Sequence, residues 1–402
     1  MRIRMKNVYI FGVLLFLNLL IVHSSAFSQT SRLDSMILKN RLKIEFLLDI
    51  GNVLPTNTFV RLQNTDLDGM AHYNAYTLRL AKQTTGDKLW QQLYGYPSYG
   101  FGVYSAFFTN TKKIGNPIAA YGYFNAPFVR FNQLSLNYEL AFGYTFNWNH
   151  YDPVTNPTNI AISTDGSVYI EAGLSLKYPI GKKLSFGLGY GLTHYSNGKL
   201  KMPNYGLNTG AAKISVSYDL YDTPKQYRTQ FKPNYIAHYE WVLSGFGGAQ
   251  NLLYVGTNTA GQTTNTKSFY FGVYGLSSTL NKQIDYKSKI GIGLTLEYNG
   301  FQNSEIVVQG GNLNTLDVNF DRHLALSIFP SYELVIDKLS LVFQPGLYLY
   351  RTKSTNLTPV SYQRIGLKYH FLKDTFLGIN LRAYHFHESD FIEWTIGHRL
   401  NW

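Results

Sequence analysis

The stretch KLSFGLGYGLTHYS, Lys183–Ser196, alternates residue by residue. Leu184, Phe186, Leu188, Tyr190, Leu192, His194 and Ser196 fall on one face of an extended chain. Ser185, Gly187, Gly189, Gly191, Thr193 and Tyr195 fall on the other. A period of two over this length reads as a strand. Bulky apolar residues on one side and small or polar ones on the other match a transmembrane β-barrel, whose apolar side faces lipid.

The rest of the chain repeats this pattern. Sixteen stretches read as strands, about one every 20–25 residues. They cover 41–54, 70–83, 98–110, 116–128, 133–148, 166–180, 183–196, 207–221, 232–248, 266–281, 288–301, 322–336, 339–352, 359–372, 375–387 and 390–402. The connections are tight at 180–183, 336–338 and 372–374, and long and polar at 147–165, 248–266 and 302–321. Short turns alternating with long loops are what an antiparallel barrel produces, with the short turns periplasmic. In the last stretch, Ile392, Trp394, Ile396, Leu400 and Trp402 share a face. Its aromatic end resembles the C-terminal signature of bacterial outer-membrane barrels.

Composition agrees. Only 15% of residues are charged and 16% are aromatic, with 33 Tyr, 26 Phe and 35 Gly. That is unlike a soluble enzyme. There is no Cys, so disulfides and thiolate metal sites are excluded. At the start, Arg2, Arg4 and Lys6 precede an apolar run, Val8–Val22, and then SSAFSQ with Ala26 and Ser28. This reads as a secretory signal peptide over 1–28, too short for a spanning helix. The net charge of +12 suits an anionic partner, and after secretion that partner is a phosphate-rich membrane rather than nucleic acid. The expectation is an all-β, antiparallel, up-and-down barrel over 29–402 in the bacterial outer membrane. It has sixteen strands, or fourteen if Pro330 and Pro345 remove two of them. A single barrel is preferred to a smaller, eight-stranded one with a second β-domain, because no linker-like break in composition is evident.

Parity then exposes a site. His194 and Ser196 continue the lipid face at the outer end of an outgoing strand. On the returning strand, Ile214, Val216, Tyr218 and Leu220 extrapolate back through Ala212 and Gly210 to Asn208. A Ser, a His and a carboxamide thus meet on one face. Polar groups at a lipid interface need a reason. Ser196 is the candidate nucleophile, His194 its base and Asn208 the group that holds the imidazole tautomer. Gly198, Asn197 and Asn204 are candidate oxyanion donors. Lys199 and Lys201 flank the site and suit substrate phosphates.

The segment HYSNGKLKMPNYGLN, His194–Asn208, resembles the signature of the outer-membrane lipid A 3-O-deacylases, known more widely as acyloxyacyl hydrolases. The resemblance covers roughly residues 165–250. It implies roles for His194, Ser196 and Asn197 and marks Pro203, Asn204 and Gly206 as family positions. The departure is Asn208, where the deacylases carry Glu. Outer-membrane phospholipase A is similar too, through His-x-Ser-Asn-Gly and a triad completed by Asn. The expected function is therefore an outer-leaflet serine esterase acting on lipid A. Phospholipid hydrolysis and a non-enzymatic channel or transport barrel are the alternatives. No cofactor is expected, with calcium entering only under the phospholipase resemblance. The oligomeric state is not readable.

Two other motifs carry less. His385, His387, Glu388 and Asp390 cluster in AYHFHESD, which reads as an interfacial polar girdle or, less simply, a pair of metal ligands. GLGYG, Gly187–Gly191, has no helix after it and so fails the condition for a nucleotide loop.

Overall fold

Each of the sixteen stretches read as strands contains one, although the ninth strand starts at His238 rather than at 232. The computed structural model describes residues 41–61, 72–221, 227–257, 263–304, 318–352, 359–385 and 388–401. The expected signal peptide, His387 and Trp402 lie outside them. Eight strands form the first half: β1 (Leu42–Val53), β2 (His72–Gln83), β3 (Ser98–Phe108), β4 (Gly115–Phe131), β5 (Leu134–Trp148), β6 (Ser167–Ile180), β7 (Leu184–Ser196) and β8 (Leu207–Asp219). Eight more form the second: β9 (His238–Thr257), β10 (Thr263–Gln283), β11 (Ser288–Asn299), β12 (Leu324–Ile336), β13 (Leu339–Arg351), β14 (Ser361–His370), β15 (Thr375–Tyr384) and β16 (Glu388–Asn401).

The strand number is as expected, but the closure is not. The strands close as two antiparallel barrels of eight, not as one of sixteen. β8 returns to β1 in register from Lys43↔Asp219 to Val53↔Thr209, and β16 returns to β9 from Trp394↔Gly247 to Asn401↔Glu240. The single domain expected over 29–402 is therefore two barrels. The dividing signal was present in the sequence between β8 and β9, where Pro224 and Pro233 stand among Lys, Gln, Arg and Thr. This connection lies on the end of the barrels where, apart from 84–97, the other turns are short. Two of those turns are two residues long and begin with Asn132 (φ 54°) and Asp337 (φ 56°). Asn and Asp tolerate that left-handed conformation better than other non-glycine residues.

Closure at eight strands decides what lies inside. An eight-stranded barrel has room for side chains and little else. In the first barrel Arg79, 1% exposed, meets Glu139 at 2.6 Å and Glu45 at 3.4 Å, and Lys177 meets Glu45 at 2.7 Å. Lys213 pairs with Glu171 beside them. Tyr104, Tyr121, Tyr169 and Tyr195 pack together beside this network, with Tyr121 stacked on Tyr169. In the second barrel Lys289 pairs with Glu240 at 2.9 Å, Lys368 with Glu333 at 3.0 Å, and Arg382 with Glu393 at 2.7 Å. Each of these buried charges has a partner, as burial of charge requires. Outward residues such as Leu188, Tyr190 and Leu192 are about half exposed, as lipid-facing side chains must be.

Three sequence difficulties resolve in physical terms. Pro330 and Pro345 face each other in a gap of the β12–β13 ladder, between the pairs Ile328↔Leu347 and Tyr332↔Phe343. Each proline still takes its place opposite its other neighbour, Ile292 and Gln363 respectively. The missing N–H groups thus fall on the one seam that leaves them unpaired. The connection 84–97, long for a periplasmic turn, contains α1 (Leu89–Leu93) and joins the two barrels. There the Tyr94 hydroxyl donates to the Val335 carbonyl at 2.7 Å and Lys88 meets Asp337 at 2.9 Å. The expected loop at 248–266 is mostly strand, because β9 and β10 run on to Thr257 and from Thr263. The alternation of Gln250, Leu252 and Tyr254 with their neighbours sustains the extension.

Candidate active site

The site is built at the outer end of the β7–β8 hairpin. Strand pairing puts His194 directly opposite Asn208, close enough for side chains to touch. The Asn208 Oδ1 lies 2.6 Å from His194 Nδ1. A carbonyl oxygen can only accept, so the imidazole proton is on Nδ1 and Nε2 carries the lone pair. Asn208 is itself fixed, donating from Nδ2 to Thr56 Oγ1 at 2.8 Å.

Ser196 is two residues beyond His194 on the same face, as parity requires, yet it is only 3% exposed. The loop 197–206 folds over it. The Gly198 N–H donates to Ser196 Oγ at 3.1 Å, and Asn204 Nδ2 donates to the same oxygen at 2.8 Å. Among the described residues no hydrogen bond joins His194 to Ser196. Catalytic hydrogen bonds are often long without substrate. Two glycines make the loop feasible. Gly198 has φ +63° and a Cβ there would strike Ile392. Gly206 has φ +73° and a Cβ there would come 2.8 Å from His194 Cε1. Both need a conformation that L side chains rarely adopt.

The remaining expected residues divide. Gly198 and Asn204 are positioned as donors at Ser196. The Asn197 side chain is not, because its Nδ2 donates to Ser163 Oγ at 2.9 Å and to the Lys201 carbonyl at 3.1 Å. It ties the loop to the β5–β6 connection. The Lys199 ammonium lies 4.6 Å from the centre of the Phe301 ring in the second barrel, a cation–π contact. Lys201 is half-buried at the rim. His385 is exposed, 3.9 Å from Glu388. Among the described residues no cluster of three or more His, Asp or Glu side chains is arranged to hold a metal ion.

Sequence reading missed Thr56, which is distant in the chain and reaches the site only because β1 closes on β8. It also missed the packing of the loop backbone. Tyr205 N–H and Gly206 N–H donate to the carbonyls of Ile160 and Ala161 at 3.1 and 3.0 Å, and Asn57 Nδ2 donates to the Gly206 carbonyl at 2.8 Å. No local pattern announces such contacts.

Comparison with known proteins follows the same division into barrels. The model of the lipid A 3-O-deacylase family (PagL) matches residues 74–219, and that of the acyloxyacyl hydrolase C-terminal domain matches residues 237–402. No curated protein matches the chain. Among solved structures, the outer-membrane enzyme PagL is 17% identical, with 42% of this chain and 97% of that one covered and a TM-score of 0.29. A mutant ferric enterobactin receptor from Pseudomonas aeruginosa is 11% identical over 85% of this chain and 53% of its own, with a TM-score of 0.24. A mutant porin of Rh. blastica is 7% identical over 90% and 99%, with a TM-score of 0.16. The two family models together match well over half of the chain, one per barrel. The chain therefore belongs to the bacterial outer-membrane family of lipid A 3-O-deacylases and acyloxyacyl hydrolases.

Proposed function

We propose that this protein is a serine esterase that cleaves an acyl ester of lipid A at the outer leaflet, using Ser196, His194 and Asn208. The observation that carries the reading is the cross-strand pair His194–Asn208, with its 2.6 Å contact to Nδ1, beside a serine on the same outward face. A base with its free lone pair on Nε2, on the same strand face as a hydroxyl two residues on, is a starting arrangement for nucleophilic catalysis.

His194 Nε2 takes the Ser196 proton as Oγ bonds to the ester carbonyl carbon. The carbonyl oxygen becomes an oxyanion, and the Gly198 N–H and Asn204 Nδ2 turn from Oγ to it. The ester C–O bond then breaks, and the imidazolium returns its proton to the leaving alcohol. Water, deprotonated by His194, attacks the acyl-serine, releases the fatty acid and restores Ser196. Asn208 keeps the ring oriented throughout but adds no negative charge, as in Cys-His-Asn triads. Lys201 at the rim suits a lipid A phosphate better than Lys199, whose ammonium is held on Phe301.

The test is incubation of the purified protein with lipopolysaccharide and, separately, with phospholipid, beside Ser196→Ala. Fatty acid release from lipopolysaccharide that disappears in Ser196→Ala is the expected result. Release from phospholipid alone, with a calcium requirement, would replace lipid A by the phospholipase reading. Under the lipid A mechanism a calcium chelator leaves the rate unchanged.

A further inference from the structure

We infer that the second barrel is part of the hydrolytic device, and that Asn251 on β9 is a positioning residue for the loop that holds Ser196. This inference rests on the esterase reading given above.

The starting point is a residue in the wrong place. Along β9, Glu240, Val242, Phe246, Gln250 and Leu252 face the interior of the second barrel and are buried. Trp241 and Leu243 face outward and are about 40% exposed. Asn251 has the outward parity, where lipid would meet it, and a carboxamide in lipid is costly. Yet Asn251 is 0% exposed.

What covers it is the catalytic loop of the first barrel. Asn251 Oδ1 accepts the Met202 N–H at 2.9 Å, and its backbone N–H donates to the Lys199 carbonyl at 3.1 Å. Its Nδ2 donates to the Phe269 carbonyl of β10 at 3.1 Å, which fixes the side chain. That backbone N–H is available because β9 outruns its partner: pairing with β16 begins at Gly247, and beyond it the strand pairs with β10. The loop carbonyl fills this open edge. Two neighbours reinforce the contact. Ile392 packs on Gly198, and Phe301 takes the Lys199 ammonium.

These contacts hold the same loop that carries both donors to Ser196 Oγ. Gly198, Lys199 and Met202 are held by the second barrel, and the donors at Ser196 are Gly198 and Asn204. A displacement of about 1 Å at a reacting group can cost on the order of a hundredfold in rate. The second barrel thus fixes where the oxyanion donors stand, while touching no reacting atom.

The test uses the full chain in detergent, with wild type, Ser196→Ala, Asn251→Leu and Asn251→Asp. Leucine suits the outward face, so the barrel is expected to fold, checked by its heat-dependent mobility on a denaturing gel. Asn251→Leu is expected to lower kcat roughly ten- to a hundredfold with KM within about twofold. Asn251→Asp keeps an oxygen for the Met202 N–H and is expected to lie between it and wild type. Trypsin supplies a readout independent of catalysis, since Lys199 and Lys201 lie in the clamped loop. Cleavage there is expected to be roughly five- to tenfold faster in Asn251→Leu once the Met202 hydrogen bond is lost. Unchanged cleavage together with unchanged kcat would overturn the clamp and leave the esterase reading intact. Undiminished hydrolysis by Ser196→Ala would overturn the esterase reading and with it a catalytic role for Asn251.

Discussion

Replacing Asn204 by Ala removes one amide from the Ser196 hydroxyl and nothing from the base. Its effect on turnover can be worked out from the two states the amide serves. In the transition state an oxyanion donor is worth roughly 2.7–4 kcal/mol. At rest the same Nδ2 already donates to Ser196 Oγ at 2.8 Å, a bond worth about 1 kcal/mol net. The difference, about 2–3 kcal/mol, corresponds to a loss of roughly 30- to 150-fold in kcat. KM is expected to stay near wild type, because the ground-state carbonyl does not need this donor. The measurement is fatty acid release from lipopolysaccharide over a range of concentrations, with folding checked by heat-dependent gel mobility. Asn204→Asp provides a sharper comparison. It matches the shape but sets a carboxylate where the oxyanion forms, and is expected to be slower than Asn204→Ala. A kcat within about threefold of wild type for Asn204→Ala, or a change confined to KM, would refute the assignment of this residue to the oxyanion.

Asn208→Leu removes the acceptor from His194 Nδ1 and is expected to lower kcat by about 10²–10⁴, the range of a general base lost to misorientation. Asn208→Asp keeps the acceptor and is expected to retain most activity, so equal loss in both variants would argue against an orienting role. Arg79→Met removes the arginine that pairs with Glu139 at 2.6 Å and one of the two cations beside Glu45 inside the first barrel. A cost of about 3–5 kcal/mol in barrel stability is expected, seen as a lower temperature for loss of the compact gel form. Planar bilayers containing the pure protein are expected to show no porin-sized conductance steps, because each barrel is filled by its own ion pairs and aromatic rings. Steady large steps would point instead to a transport barrel.

Individual strands were legible because each carries its own period of two. Lys183–Ser196 is a clear case, and its parity also placed His194, Ser196 and Asn208 on one face. Closure was less legible. Nothing within β8 says whether it pairs with β1 or β9, since both would bury the same polar side and expose the same apolar one. The cue lay outside the strands, in the proline-bearing polar segment between Asp219 and His238. Contacts such as Thr56 with Asn208, or Asn251 with Met202, depend on which strands meet, so they follow closure and cannot precede it. Asn197 shows the same limit on a smaller scale. Its place in the motif suited an oxyanion donor, but its amide is engaged by Ser163 and Lys201.

Under the proposed lipid A mechanism, the resting state of Ser196 has a consequence for the control of turnover. In a leaflet rich in lipid A such an enzyme would meet substrate at high local concentration, so scarcity would restrain it little. Restraint has to come from within each catalytic cycle. A hydroxyl already occupied by both of its donors would supply it: each turnover of the proposed mechanism would begin by breaking the Gly198 and Asn204 bonds to Oγ. A lipid whose carbonyl can take those donors over releases the brake, and one that merely drifts past does not.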